Sequence, residues 1–281
     1  VHEPVRRYEH GYRAICLRCE KQGVPQRTGT VLKTLCPIAL NPQPPNLVNP
    51  PKHSTPENLQ VLYEDNHLLV VNKRAGDIVQ GDQTGDTPLS EVGKEYIKRK
   101  YQKPGNVFLG VVHRLDRPTS GALLFARTSK ALSRMNAQFK EKEVRKTYWA
   151  LVSSHPPEES GRLVHWLRRN PKQNKSYAHP GEGPERKKAV LNYRVLKALD
   201  RYYLLEIDLE TGRHHQIRSQ LAAIGCPIKG DLKYGFPRSN PDGSIHLHAR
   251  HLEFEHPVQK TPVKITAPPP PDPLWDACLE I

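Results

Sequence analysis

The sequence predicts an α/β protein of the α+β type, built on a mixed, largely antiparallel sheet with helices at its periphery. Three observations predict it. Apolar runs of strand length outnumber runs with helical spacing. Most neighbouring strand runs are joined by short turn signals, as hairpins are, and few by the helical crossovers that parallel strands need. No segment repeats, so nothing indicates a solenoid or propeller.

The elements follow in order. Residues 1–58 read as a basic, proline-rich arm and linker. Arg6, Arg7, Arg13, Arg18, Lys21, Arg27 and Lys33 show no period, and prolines run through 37–56. The main domain is expected over 59–281. Residues 59–64 and 68–72 read as strands around an Asp65-Asn66 turn. A helix is expected over 88–101, where Leu89, Val92, Tyr96 and Ile97 share one face. Strands at 107–112 and 122–126 frame Asp116. Thr128-Ser129 opens a helix carrying Leu132, Met135 and Phe139, and 145–152 is a further strand. Residues 170–188 are polar and basic, with Gly181 and Gly183, and predict a long mobile loop. Strands at 189–196 and 202–209, a helix over 214–224 and a strand at 248–254 complete the domain. Pro268 to Pro271 form a stiff polyproline tail.

The 281 residues carry a formal charge of +14, which favours an anionic partner. No stretch approaches the length of uncharged apolar sequence that a spanning helix needs, so nucleic acid is favoured over membrane. Residues 1–14 are too charged for a signal peptide, and a cytoplasmic, intracellular protein is expected. Nothing calls for an obligate assembly, so a monomer is expected. Five cysteines in a chain this long do not suggest a disulfide framework. Cys226 and Cys278 read as buried thiols. Cys16-Leu17-Arg18-Cys19 has the spacing of a metal or redox hairpin, with Cys36 and His10 as further candidates. No second C-x-x-C accompanies it, and unpaired cysteines in the arm are the expectation. The fourteen histidines include no H-E-x-x-H or comparable set, so hydrogen-bonded or capping roles are expected and no metal.

One segment concentrates chemistry: Val111-Val112-His113-Arg114-Leu115-Asp116-Arg117-Pro118-Thr119-Ser120-Gly121. It sets a single carboxylate between two arginines, framed by apolar runs. On the residues alone, an ion pair with Arg114 or Arg117 is the favoured reading of Asp116. The segment resembles, almost letter for letter, the catalytic stretch of the RluA family of RNA pseudouridine synthases. Three other segments match that family in order. They are 68–76, departing at Arg74 from the family's proline; 144–150, with Lys146-Thr147-Tyr148; and 209–218, with Gly212-Arg213-His214-His215-Gln216-Ile217-Arg218, continued by 224–231.

The resemblance implies a cofactor-free isomerase acting on uridine in structured RNA, ribosomal or transfer. It implies a pseudouridine synthase catalytic fold, its sheet bent across a cleft where Asp116, Tyr148 and Arg218 converge. Asp116 is the implied catalytic carboxylate, attacking C1′ or taking a proton from C2′. Arg218 is implied to fork onto that carboxylate. Tyr148 would stack on the uracil, its hydroxyl a candidate base at C5. Arg114 would enter the gap left by a flipped nucleotide. Arg213 and Gln216, on the same wall as Arg218, complete the expected RNA contacts together with Lys73 and Lys146, for which a structural pair is an equal alternative. The N-terminal S4 domain of many relatives is not evident in 1–58. Two rival readings are a non-catalytic RNA-binding protein that keeps the fold and a metal-dependent nuclease using the histidines.

Overall fold

The structure is a computed structural model that describes residues 53–81 and 84–279. The basic arm through position 52, with Cys16, Cys19, Cys36 and His10, lies outside the described residues.

Among the described residues eleven strands form one sheet: β1 Val61–Glu64, β2 Leu68–Lys73, β3 Gly110–Val111, β4 Ser120–Ala126, β5 Arg145–Val152, β6 Ser160–Asn170, β7 Lys175–His179, β8 Lys187–Ala198, β9 Tyr203–Leu209, β10 Leu247–Glu255 and β11 Pro262–Thr266. The order is β1-β2-β4-β10-β5-β9-β8-β6-β7, with β3 added to β4 and β11 to β10. Every pairing is antiparallel except β4 with β10, where Ser120 and Gly121 lie beside His248 and Ala249. The expected mixed, largely antiparallel sheet is therefore present, as two antiparallel halves joined by one short parallel seam.

The seam explains a glycine. A Cβ on Gly121 would fall 2.4 Å from the Ala249 carbonyl oxygen, and φ there is +117°, so only glycine allows the approach. Beside it, Ser120 Oγ donates to His248 Nδ1 at 2.9 Å, and His248 Nε2 donates to Ala267 O at 3.0 Å.

Among the described residues four helices flank the sheet: α1 Leu89–Lys100, α2 Ser129–Glu141, α3 Gln216–Ala223 and α4 Pro273–Leu279. In α1, Glu91 occupies the first turn and Lys98 to Lys100 the last, complementing the helix dipole. Thr128 caps α2 as its position predicts, accepting from Ala131 N at 3.1 Å, and Lys142 ends it in the left-handed region. α1 and α3 pack on the face that carries Leu123, Phe125, Tyr148, Leu191 and Ile207. α2 covers Leu68, Val70, Leu124 and Phe254, and α4 covers Trp149, Leu151 and Leu204. None of the described helices is long and apolar enough to cross a membrane.

Several expectations are corrected. The supposed loop at 170–188 contains a β-hairpin, β6 to β7, closed by a tight turn in which Asn174 N bonds to Pro171 O. The strand expected at 107–112 shrinks to Gly110–Val111, leaving Phe108 exposed. α3 begins at Gln216, because His215 adopts a left-handed φ of 53° just before it. Beyond 254 the chain adds β11 and α4, the latter capped by Asp272, which accepts from Leu274 N and Trp275 N.

Candidate active site

The turn that carries Asp116 is pinned from behind. Thr119 N closes it by bonding to Asp116 O at 3.0 Å. The turn therefore spans Asp116 to Thr119, while Ser120 and Gly121 already belong to β4. The preceding His113 anchors the entry: its Nε2 accepts from Leu124 N at 3.1 Å and its ring stacks on Phe139. Burial, helped by the Lys146 charge, pulls this imidazole down to about 3, so it is neutral.

Lys73 supplies the floor. Its ammonium donates to the carbonyls of Arg74, Arg117 and Thr119 at 2.9, 3.1 and 2.8 Å, two of them in the Asp116 turn. The side chain is 1% exposed. Burial pulls its pKa down to about 7, against the opposing charges of Asp77 and Asp116. Of the two readings of Lys73, a phosphate contact or a structural pair, its burial favours the second: it ties β2 to the turn. Gln216 lines the cleft, but its amide is committed within the protein. At 3% exposure, its Oε1 accepts from Thr211 Oγ1 and Arg213 N, and its Nε2 donates to Val190 O. It shapes the loop before α3.

Asp116 opens into a cleft of about 1390 Å³ whose walls include Arg114, Tyr148, Arg213, His215 and Arg218. Its side chain is 28% exposed, and Oδ2 accepts from Arg218 Nη1 at 3.2 Å. Neither neighbouring arginine pairs with it. Arg117 bonds to Asp86, and the exposed Arg114 has no hydrogen-bond partner among the described residues.

Arg218 does reach Asp116, but its fork belongs elsewhere. Nε and Nη2 grip Asp231 Oδ2 and Oδ1 at 2.7 and 2.8 Å, and Nη1 alone serves Asp116. Burial opposes the guanidinium charge; the Asp231 and Asp116 carboxylates more than offset it, and its pKa is raised. The expected fork onto Asp116 is thus corrected to a fork onto Asp231, which sequence reasoning did not single out. Its one trace in the sequence is its place at the end of the matched 224–231 segment. His215 and Tyr234 were also missed: His215 Nε2 lies 3.1 Å from Arg218 Nη1, and its Nδ1 lies 3.0 Å from Tyr234 Oη.

Tyr148 projects from β5 into the same cleft, buried at its base. Burial first, then the charge of Asp116, raises its phenol well above the ordinary value, so the hydroxyl holds its proton. Lys146, two residues earlier, sits 5.7 Å from the Phe139 ring centroid, its pKa lowered by burial. Arg114, Lys146, Arg169, Arg213 and Lys233 all line the cleft without an acidic partner among the described residues. Such a wall attracts phosphates. Among the same residues no three His, Cys, Asp or Glu side chains converge as metal ligands would.

Comparison with known proteins finds relatives of one kind. Residues 67–223 match the family model described as RNA pseudouridylate synthase. The ribosomal large subunit pseudouridine synthase D of Zymomonas mobilis is 34% identical over 234 residues, covering 79% of this chain and 73% of the relative. The ribosomal large subunit pseudouridine synthase C of Vibrio vulnificus is 32% identical over 240 residues, covering 83% and 73%. Among solved structures, human RNA Pseudouridylate Synthase Domain Containing 1 superposes with a TM-score of 0.62 at 28% identity, covering 80% of this chain and 89% of that one.

Proposed function

The chain belongs to the RNA pseudouridylate synthase family, and on that premise we propose that it isomerises uridine in large-subunit ribosomal RNA with Asp116 as its catalytic carboxylate. The observation that carries the assignment is the posture of Asp116. One oxygen is held by Arg218, and the carboxylate opens onto a cleft shared with Tyr148 and walled by unpaired cations. The ribosomal substrate rests on the names of the two bacterial relatives.

The reaction breaks the bond from uracil N1 to ribose C1′, turns the base, and forms a bond from C5 to C1′. The C5 proton leaves and N1 gains one, so atoms and charge balance without a redox partner. Asp116 acts on the sugar, either at C1′ or at the C2′ proton. Tyr148 offers a flat face that holds the base through detachment and rotation without tying it to one set of hydrogen bonds. Its protonated hydroxyl can donate to the detached base; to accept the C5 proton it must first lose its own. Arg114, exposed in the cleft wall and without a partner among the described residues, would enter the stack when the nucleotide flips. Arg213, Lys146 and Lys233 take phosphates.

The test is tritium release from ribosomal RNA labelled at uridine C5. Wild-type protein should release tritium, and Asp116→Asn should release none while binding RNA with an affinity close to wild type. A wild-type rate in Asp116→Asn would overturn the role of Asp116. Bound RNA without any release by the wild type would favour a binding protein that keeps the fold.

A further inference from the structure

Behind Arg218 lies a chain of hydrogen bonds that the chemistry above does not use. His215, 8% exposed, stands between Arg218 and Tyr234. A guanidinium nitrogen can only donate. The 3.1 Å contact from Arg218 Nη1 therefore requires His215 Nε2 to accept, which places the ring proton on Nδ1. From there it is donated to Tyr234 Oη at 3.0 Å, an oxygen that also accepts Ser176 N from β7 at 2.9 Å. In the opposite tautomer, Nε2–H would confront the Arg218 donors. It would also sit 3.6 Å from Asp116 Oδ2 as a second donor to that carboxylate. Each added donor makes a carboxylate a weaker base and nucleophile.

We infer that His215, held by Tyr234 in its Nδ1–H tautomer, is a positioning residue that directs Arg218 Nη1 onto Asp116 and denies that carboxylate a second donor. The inference rests on the proposed role of Asp116. The ring is kept neutral: burial, then the Arg218 charge, pulls it down to about 2. Its plane is set by His214, stacked at 3.8 Å between centroids, which is itself tied through Nδ1 to Ser176 Oγ. The left-handed backbone at His215 suits Asn as well as His.

The experiment uses the full chain with 15N-labelled histidine, the His215 signals being assigned by their loss in His215→Asn. Wild type should show the Nδ1–H pattern; an Nε2–H pattern overturns the inference. Tyr234→Phe keeps the ring that lies 5.0 Å from the Arg218 guanidinium and removes only the oxygen. It should mix the tautomers and lower kcat for tritium release by about tenfold, the scale of one charge-assisted hydrogen bond, with RNA affinity unchanged. His215→Asn, which cannot reach Arg218, should lose at least as much. An unchanged kcat in either variant, or a loss of RNA affinity matching the loss of rate, overturns it. Absence of tritium release by the wild type would count against the proposed function alone, since the tautomer is read without turnover.

Discussion

Replacing Asp231 with Asn tests whether the buried fork, more than any residue near Asp116 in sequence, holds the site together. Asp231 is 1% exposed, and both its oxygens are committed to Arg218 at 2.7 and 2.8 Å. Asn keeps the shape and one acceptor, but turns an amide N–H₂ against a guanidinium that can only donate. Arg218, 5% exposed, then keeps a single carboxylate, Asp116, at 3.2 Å and partly open to water. Removing one member of a buried ion pair costs about 3–5 kcal/mol, and the residual Asp116 contact argues for the lower end, near 3. For a domain of this size that is a fall in Tm of roughly 6–12 °C.

Urea unfolding followed by circular dichroism at pH 7 measures it, alongside tritium release at a temperature where the variant stays folded. Turnover should fall, because Arg218 is no longer anchored and Asp116 loses its fixed donor. The exposed pair of Arg162 with Glu210, bonded at 2.9 Å through both oxygens, is the internal control. Glu210→Gln there should cost under about 1 kcal/mol, as surface pairs do. Combining Arg218→Met with Asp231→Leu should restore most of the lost stability while leaving the enzyme inactive. An Asp231→Asn variant within about 1 kcal/mol of wild type would refute the reasoning.

Three further outcomes are expected. Lys73→Met keeps the stem and removes three donors, so it should cost about 2–3 kcal/mol and slow turnover. RNA affinity should be unchanged, and a large loss of affinity would restore Lys73 as an RNA contact. Tyr148→Phe should bind RNA but stall after base detachment; wild-type tritium release would remove its hydroxyl from the proton steps. Stability should fall as pH drops from about 6.5 toward 4. His113, His215 and His248 are held neutral by burial, at about 3, 2 and 4, so the unfolded chain binds more protons than the folded one below 6.5. Urea midpoints at pH 7.5 and 5 decide this, and an equal or higher midpoint at pH 5 would contradict it.

Much of the frame was legible because local signals and tertiary packing agree. Thr128 sits where a cap belongs, and Leu68 to Lys73 form a continuous buried run in the strand next to the sheet edge. The β6–β7 hairpin was not legible. Val164, His165, Trp166 and Leu167 give no alternation, and a polar, Pro171-containing turn amid arginines and lysines reads as solvent-facing loop. β11 was hidden by the prolines around it. At the site, the residues of the Asp116 segment were found, but burial was not. Lys73 and Gln216 are long polar side chains that sequence alone places at the surface. Here each finds backbone carbonyls inside, which only the three-dimensional arrangement supplies.

The same limit explains why the apparent partners of Asp116 are not its partners. Arg114 and Arg117 flank it in sequence, and either could have captured it. Arg117 is drawn off by Asp86, and Arg114 points to open cleft. The donor that does reach it comes from 102 residues away and is itself restrained by Asp231 and His215. Each diversion has the same consequence. The cations that have no acidic partner among the described residues are, in the proposal, left for phosphates, which dominate affinity for RNA. On the proposed role of Asp116, the carboxylate is left with one fixed donor, oriented before substrate arrives, so little reorganisation is needed when charge develops on the sugar. In that proposal, binding and chemistry rest on different residues of one cleft. On that division, raising salt should weaken RNA binding steeply while changing the rate of the bound complex little.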